Sequence, residues 1–439
     1  MLSMIGLIGG LALLIILTLR GMNLLIAGPL CAIIVGVLGG LDLFPQTAPE
    51  GAANLVGNYM GGFSGFVASW FPMFLLGALF GKVMEDSGSA DSVSKWIVGK
   101  LGMQRAVLAI VLACAILTYG GVSLFVVAFS VYPMAVSLFK EANLPRRFIP
   151  AALAFGSVTF TMTSAGSPEI QNWIPIEYLD TSPYAGWEVS IIVALFMAAF
   201  GYWWLRKMIG KAVDRGETFV GREEDPQVEN RKLPNPVMGI LPLVVVLVLS
   251  FIFHDSLKQS ALIVALLGGI LAGYALNYKY FNDFFGALSA GTVGALIAIG
   301  NTAAVVGFGS VAKAVPAFQT AVDAMTSIPG SPLIGGAIAV SVIAGLTGSA
   351  SGGQAIALPI LAPHYLDMGV NTEALHRTVS ISSGALDSLP HNGYVVTTIR
   401  AICGETHADA YGAVGALTVI VPLLGLALAI VLFSLGLGI

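Results

Sequence analysis

Charge is scarce in this chain. Asp, Glu, Lys and Arg supply 10% of its residues, against about 25% in an ordinary soluble domain. The net charge of −4 points to no charged macromolecule, so nucleic acid is not expected as a partner. Cysteine is as sparse. Cys31, Cys114 and Cys403 show neither metal-ligand spacing nor a disulfide framework, and they read as small buried hydrophobes. No metal and no cofactor is expected. The first apolar segment lacks a basic n-region and a cleavage site, and reads as an uncleaved span. His254, His364, His376 and His407 fall in predicted loops and read as solvated surface.

What is plentiful is apolar sequence. Apolar residues make up 56%, and runs of about 17 to 25 residues recur, each able to cross about 30 Å of hydrocarbon. "MIGLIGGLALLIILTL" and "GILPLVVVLVLSFIF" are two of them. The fold class that follows is an all-α polytopic membrane protein in a lipid bilayer.

Fifty-three glycines invite a search for repeats. A shift of 228 positions places Phe80-Gly81 on Phe308-Gly309, Gly120 on Gly348, Ser123 on Ser351 and Gly156 on Gly384. Gly39-Gly40 meets Gly268-Gly269 at a shift of 229. The chain therefore divides into a first repeat over 1–205, a linker over 206–236 and a second repeat over 237–439. The linker holds seven Lys and Arg and should be cytoplasmic.

Ten spans are expected, near 3–19, 22–41, 63–82, 148–176, 187–205, 237–253, 259–277, 284–308, 378–398 and 411–436. Two hairpins, 106–139 and 333–362, enter and leave by one face, each as two half-length helices with tips near the midplane. Segments 85–101 and 312–329 suit interfacial helices. In this layout 17 of the 20 Lys and Arg lie inside, both termini are periplasmic, and only Lys258, Lys313 and Arg377 fall outside. No Lys or Arg is left deep in the membrane. Each half holds five spans, so the second is inverted, a signature of secondary transporters.

Glycine lets the backbone turn at the hairpin tips, and bilayer depth tolerates freed backbone groups only where they line a cavity. One tip carries Thr347, Ser349 and Ser351; the other carries Thr118, Gly120, Gly121 and Ser123. Pro168 breaks span 148–176 among Thr161, Thr163, Ser164, Ser167, Glu169, Gln171 and Asn172. Pro390 breaks span 378–398 among Ser382, Ser383, Asp387, Ser388, His391 and Asn392. If the repeats meet at the midplane, these clusters share one site. With no Lys or Arg there, an anion would rest on helix N-termini, backbone N–H groups and hydroxyls, which suits one small carboxylate. Asp387, Glu169 and His391 are the intramembrane ionisable groups, so they are either proton carriers or ligand contacts, or they fix broken helix ends. Asn301-Thr302 is a further polar island, equally suited to interhelical bonding and to ligand. "SASGG" with His391 superficially resembles an intramembrane protease, but the first repeat has the hairpin without that motif. A passive channel is the other rival class.

At "YGGVSLFVVAFSVYPMAVSLFKEANLPRRFIPAALAFGSVTFTMTSAGSPEIQNWIP", "GLTGSASGGQAIAL" and "LHRTVSISSGALDSLPHNGYVVTTIRAICGETHADAY" the chain resembles the gluconate permease family of the ion transporter superfamily. It looks most like the D-3-hydroxybutyrate permease branch. The resemblance implies a proton-coupled importer of small hydroxy-carboxylates in the bacterial inner membrane, a homodimer, and an elevator mechanism. It does not imply an enzyme. Sodium is the alternative coupling ion. The motif matches carry over Ser123, Thr163, Ser349, Ser351, Asp387, His391 and Asn392; Gly121 and Ser164 adjoin them as substrate-contact candidates. Glu169 stands where that branch has Gln, and the break lacks the His and Pro of the gluconate branch, which favours a shorter substrate.

Overall fold

The computed structural model describes residues 1–20, 22–102, 105–223, 225, 232–326 and 331–438. Parts of the expected linker 206–236 and of the expected interfacial segment 312–329 lie outside the described residues. Among those described there is no strand, only one isolated bridge between Asp42 and Asn54.

The chain opens with α1 (Leu2–Leu19), α2 (Leu24–Gly39) and the long α3 (Leu55–Asp86). Asn54 starts α3 by accepting a hydrogen bond from the Gly57 amide at 2.8 Å. The short α4 (Ser89–Leu101) leads to a hairpin of α5 (Ala106–Tyr119) and α6 (Leu124–Glu141). A broken span follows: α7 (Ile149–Ala154) with a π-helical extension to Thr159, an irregular stretch, and α8 (Ile174–Leu179). The half closes with α9 (Trp187–Asp214).

The second half repeats this order. It runs α10 (Pro236–Leu257), α11 (Ala261–Asn277), the long α12 (Phe284–Ala314) and the short α13 (Pro316–Thr326). A hairpin of α14 (Pro332–Thr347) and α15 (Ala350–Asp367) comes next. The second broken span is α16 (Thr372–Ser383), then α17 (Gly393–Val396) prolonged by a π-helix to Ile402. The chain ends with α18 (His407–Gly415) and α19 (Val421–Ser434), joined by a π-helical turn.

Two packed groups result. α3 lies along α12, with α1, α2, α10 and α11 around them. The hairpins and broken spans pack with α9 and α19. Glycine permits the tightest approaches: a Cβ at Gly28 would lie 2.9 Å from the Ala304 carbonyl oxygen, between α2 and α12.

Several expectations need correction. α9 continues to Asp214, so residues 206–214 of the expected linker are helix. Hydropathy fades at 205, but backbone hydrogen bonds carry the helix past the bilayer edge. The hairpin arms hold 14 to 18 residues, about 21 to 27 Å, which is more than half-length. α6 is even long and apolar enough to cross by itself. It nevertheless starts at depth. A Cβ on Gly121, beside its N-terminus, would sit 3.5 Å from Val246, halfway along α10. The hairpin therefore turns back level with the middle of α10.

Candidate functional site

Both hairpin tips and both helix breaks border one cavity of about 300 Å3 between the two packed groups. Its wall includes Gly121, Ser123, Pro168, Glu169, Gln171, Gly348, Ser349, Ser351, Asp387 and Asn392. On the opposite side stand Met73 and Gly77 of α3, Leu266 of α11, and Asn301 and Thr302 of α12.

The turns follow from local chemistry. Gly121 (φ +95°) and Gly348 (φ +62°) take the left-handed conformation that ends the first arm of each hairpin. Pro168 packs on Gly121, where an added Cβ would lie 3.2 Å from its Cγ. Restarting helices need caps. Ser349 Oγ accepts from the Gly352 amide at 3.1 Å, and Asn392 Oδ1 accepts from the Val395 amide at 2.9 Å. Asn392 Nδ2 also donates to the Gly348 carbonyl at 2.9 Å, tying the second tip to the second break. Three helix N-termini thus face the cavity, those of α6, α15 and α17 with its extension. Each brings unbonded amides and a partial positive charge, worth about half an elementary charge per helix end.

Among the described residues, the cavity wall carries two carboxyl groups and no Lys or Arg. Asp387 is 6% exposed and accepts from Ser388 Oγ at 3.0 Å. Glu169 is partly exposed toward the cavity and makes no ion pair within 4 Å among the described residues. Ser123 Oγ has no hydrogen-bond partner among the described residues, and Ser351 Oγ has only Ser349 Oγ at 3.4 Å. Asn301 Oδ1 and Gln171 Oε1 also lack partners among them.

Not every candidate reaches the wall. Thr163 and Ser164 are buried beside it, and Ser164 Oγ donates to the Phe160 carbonyl within the irregular stretch. His391 is also off the wall, packed under Gly348. Thr161, Thr347, Ser382 and Ser383 spend their hydroxyls on nearby carbonyls.

Two readings are overturned. Arg377 is not in a loop before the span: it lies in α16 and is fully buried. Its Nη1 donates to the Thr163 carbonyl at 2.6 Å and to Asn172 Oδ1 at 2.8 Å. Its Nη2 donates to Pro183 and its Nε to Ala185. Arg377 stands behind the cavity wall rather than on it. A broken helix frees carbonyls with no water to meet them, and a five-donor planar fork satisfies several at once. His376 is likewise fully buried rather than solvated, with Nδ1 2.6 Å from Thr181 Oγ1. The missed signal is "NTEAL". Asn371 caps α16 by accepting from the Ala374 amide at 2.9 Å, so the helix begins before residue 378 and carries His376 and Arg377 inward. His407 is also held, its Nε2 3.1 Å from the Pro390 carbonyl.

The profile of the GntP family permease matches residues 1–268, and that of the Na+/H+ antiporter family matches residues 181–388. The chain is 35% identical to the uncharacterized transporter YxjC of Bacillus subtilis, over 93% of this chain and 94% of that one. It is 27% identical to the high-affinity gluconate transporter of Escherichia coli, over 35% and 33% of the respective chains. Among solved structures, the YdaH transporter of Alcanivorax borkumensis shares the fold at a TM-score of 0.60 and 15% identity, over 99% of both chains.

Proposed function

The chain belongs to the GntP permease family and is a multi-pass secondary transporter rather than an enzyme; from that premise we propose that it imports a small hydroxy-monocarboxylate, 3-hydroxybutyrate first among them, together with a proton. The observation that carries this reading is the meeting of three helix N-termini at a cavity whose wall, among the described residues, has two carboxyl groups and no Lys or Arg. Dispersed partial positive charge suits one carboxylate better than a phosphate or a dianion. A volume of about 300 Å3 sits at the small end of the range for small-molecule sites. Ser123, Ser351 and the N-terminal amides of α6 and α15 bind the carboxylate, and Gln171 and Asn301 meet the hydroxyl. Asp387 or Glu169 carries the proton. His391, off the wall, supports the turn at Gly348.

The cavity lies between the α3–α12 group and the group of hairpins and broken spans, which fits an elevator: the second group slides past the first and carries the site across. A homodimer in the bacterial inner membrane, with the basic linker cytoplasmic and the termini periplasmic, completes the reading. Sodium coupling is the second reading, favoured by the match to the Na+/H+ antiporter family and by the freed carbonyls at the breaks.

Purified protein in proteoliposomes tests both. Labelled 3-hydroxybutyrate is offered under an inward proton gradient, then an inward sodium gradient, with unlabelled gluconate and lactate as competitors. Accumulation on protons alone is the expected result. Accumulation on sodium alone moves the coupling site to hydroxyls and carbonyls, and flux down a gradient without saturable counterflow would mean a channel.

A further inference from the structure

Arg377 is a full positive charge inside the protein, and its direct partners are all neutral: three carbonyls and one side-chain amide. Among the described residues no carboxylate lies within 4 Å of it. Glu373, one turn earlier on α16, is partly exposed and accepts from the Gly186 amide at 2.9 Å. Tyr119 donates to the Ala165 carbonyl at 2.7 Å, and His376 counts here as a neutral imidazole beside the guanidinium. Facing Asp387 are Ser388 and Tyr411, and His391, four residues on, packs under Gly348. Thr163 and Asn172, which Arg377 grips, flank the strand of chain that carries Glu169 and Gln171 into the cavity. Glu373 is off the cavity wall and its carboxylate is met by the Gly186 amide, so the cavity side holds, among the described residues, one fixed cation and two carboxyls able to take protons.

Net charge in a desolvated interior is costly, so the states that move should be those in which these groups cancel. Resting on the proton-symport reading above, we propose that Arg377 is the fixed cation of the site and sets its coupling ratio at one proton per monocarboxylate, with no net charge moved. Loaded, the interior holds Arg377, the substrate carboxylate and two protonated carboxyls, and sums to zero. Empty, it holds Arg377 with one carboxylate ionised and the other protonated, and again sums to zero. The difference between the two states is one substrate anion and one proton, released together on the far side. Arg377 acts from behind the wall and touches no substrate; it is a positioning residue whose charge fixes the count.

The test uses the unmodified protein in proteoliposomes. Uptake of labelled 3-hydroxybutyrate is driven by one inward pH gradient while potassium and valinomycin hold the membrane at zero or at inside-negative potential. Accumulation should be the same at both potentials. One net charge per cycle would shift it by about 50-fold per 100 mV, and such a shift of either sign overturns the one-proton count while leaving symport intact. No accumulation from the pH gradient at either potential, in folded protein, overturns the proton-symport reading beneath it. Arg377→Gln removes the cation: its neutral empty state keeps both carboxyls protonated and its loaded state is left at −1, so uptake should fall sharply, and what remains should lose its response to the pH gradient and become driven by inside-positive potential. Arg377→Lys should keep electroneutral coupling. A fold-only role for Arg377 would leave the potential dependence of any residual uptake equal in the two variants, and that result also overturns the proposal.

Discussion

Asn392 shows how a single side chain at the cavity can be consumed by architecture. Its oxygen caps α17 and its nitrogen holds the Gly348 carbonyl, so little is left for a ligand. Asn392→Ala should lower stability by about 2 kcal/mol, from a lost cap and an unpaired carbonyl. Asn392→Asp should recover the cap alone. Thermal unfolding of the purified variants, with and without 3-hydroxybutyrate, separates the two losses. Asp387 is the opposite case, since among the described residues Ser388 is the one side chain that hydrogen-bonds its carboxylate. Asp387→Asn combined with Glu169→Gln should abolish gradient-driven uptake while counterflow exchange persists, because no carboxyl is left to take the proton and exchange needs no net proton movement. Loss of both activities would mark the carboxyls as structural. The polar positions of this site were readable from the sequence because serine and aspartate are conspicuous among apolar neighbours. Their division into ligand contacts and helix caps was not, since that depends on which amide each oxygen meets.

The hairpins and broken spans work as pairs of closely apposed elements. A Cβ at Gly353 would lie 2.6 Å from the Ala344 Cα, so α14 and α15 touch backbone to backbone. Gly156 is as close to the Val111 carbonyl, joining the first break to the first hairpin. Gly353→Ala and Gly156→Ala should each cost about 1–3 kcal/mol by forcing these elements apart, seen as a lower unfolding temperature and reduced uptake. The elements themselves were legible. Gly121 and Gly348 interrupt apolar runs, and Pro168 and Pro390 sit within expected spans, so each turn and break has a local cause. What escaped the sequence were features that local causes do not set. The inward course of α16 hangs on Asn371, and the extension of α9 to Asp214 follows from helix propagation rather than hydropathy. The buried position of Arg377 follows from a carbonyl cluster made by another part of the chain.

At the scale of the molecule, the proposed sliding of one group against the other makes a direct prediction. Gly309 of α12 and Ile356 of α15 face each other across the boundary, so closely that a Cβ at Gly309 would meet Ile356 Cγ1 at 2.5 Å. Gly309→Cys with Ile356→Cys should form a disulfide that stops uptake, and reduction should restore it; uninterrupted transport by the cross-linked protein would exclude an elevator. The linker end is held by ion pairs. Arg146 meets Asp225 and Glu405 at 2.8 Å, and Arg147 meets Glu217 at 2.7 Å. Hydrogen bonding from Arg147 holds the Glu217 carboxyl below its usual range. A carboxyl depressed in this way stabilises the fold above its unfolded value, and that contribution fades as pH falls through the folded one. The mobility of a spin label at exposed Thr218 should therefore stay low near neutral pH and rise only below about pH 4.

Those ion pairs have a mechanical corollary. α9 belongs to one packed group and α10 to the other, so the linker is a leash between them. It is pinned at Asp225 by Arg146 and at Pro234, whose carbonyl accepts from Ser92 Oγ at 2.6 Å. The nine peptide steps between these pins can stretch to about 30 Å at most, which places a ceiling on how far the site can travel before one pin must let go.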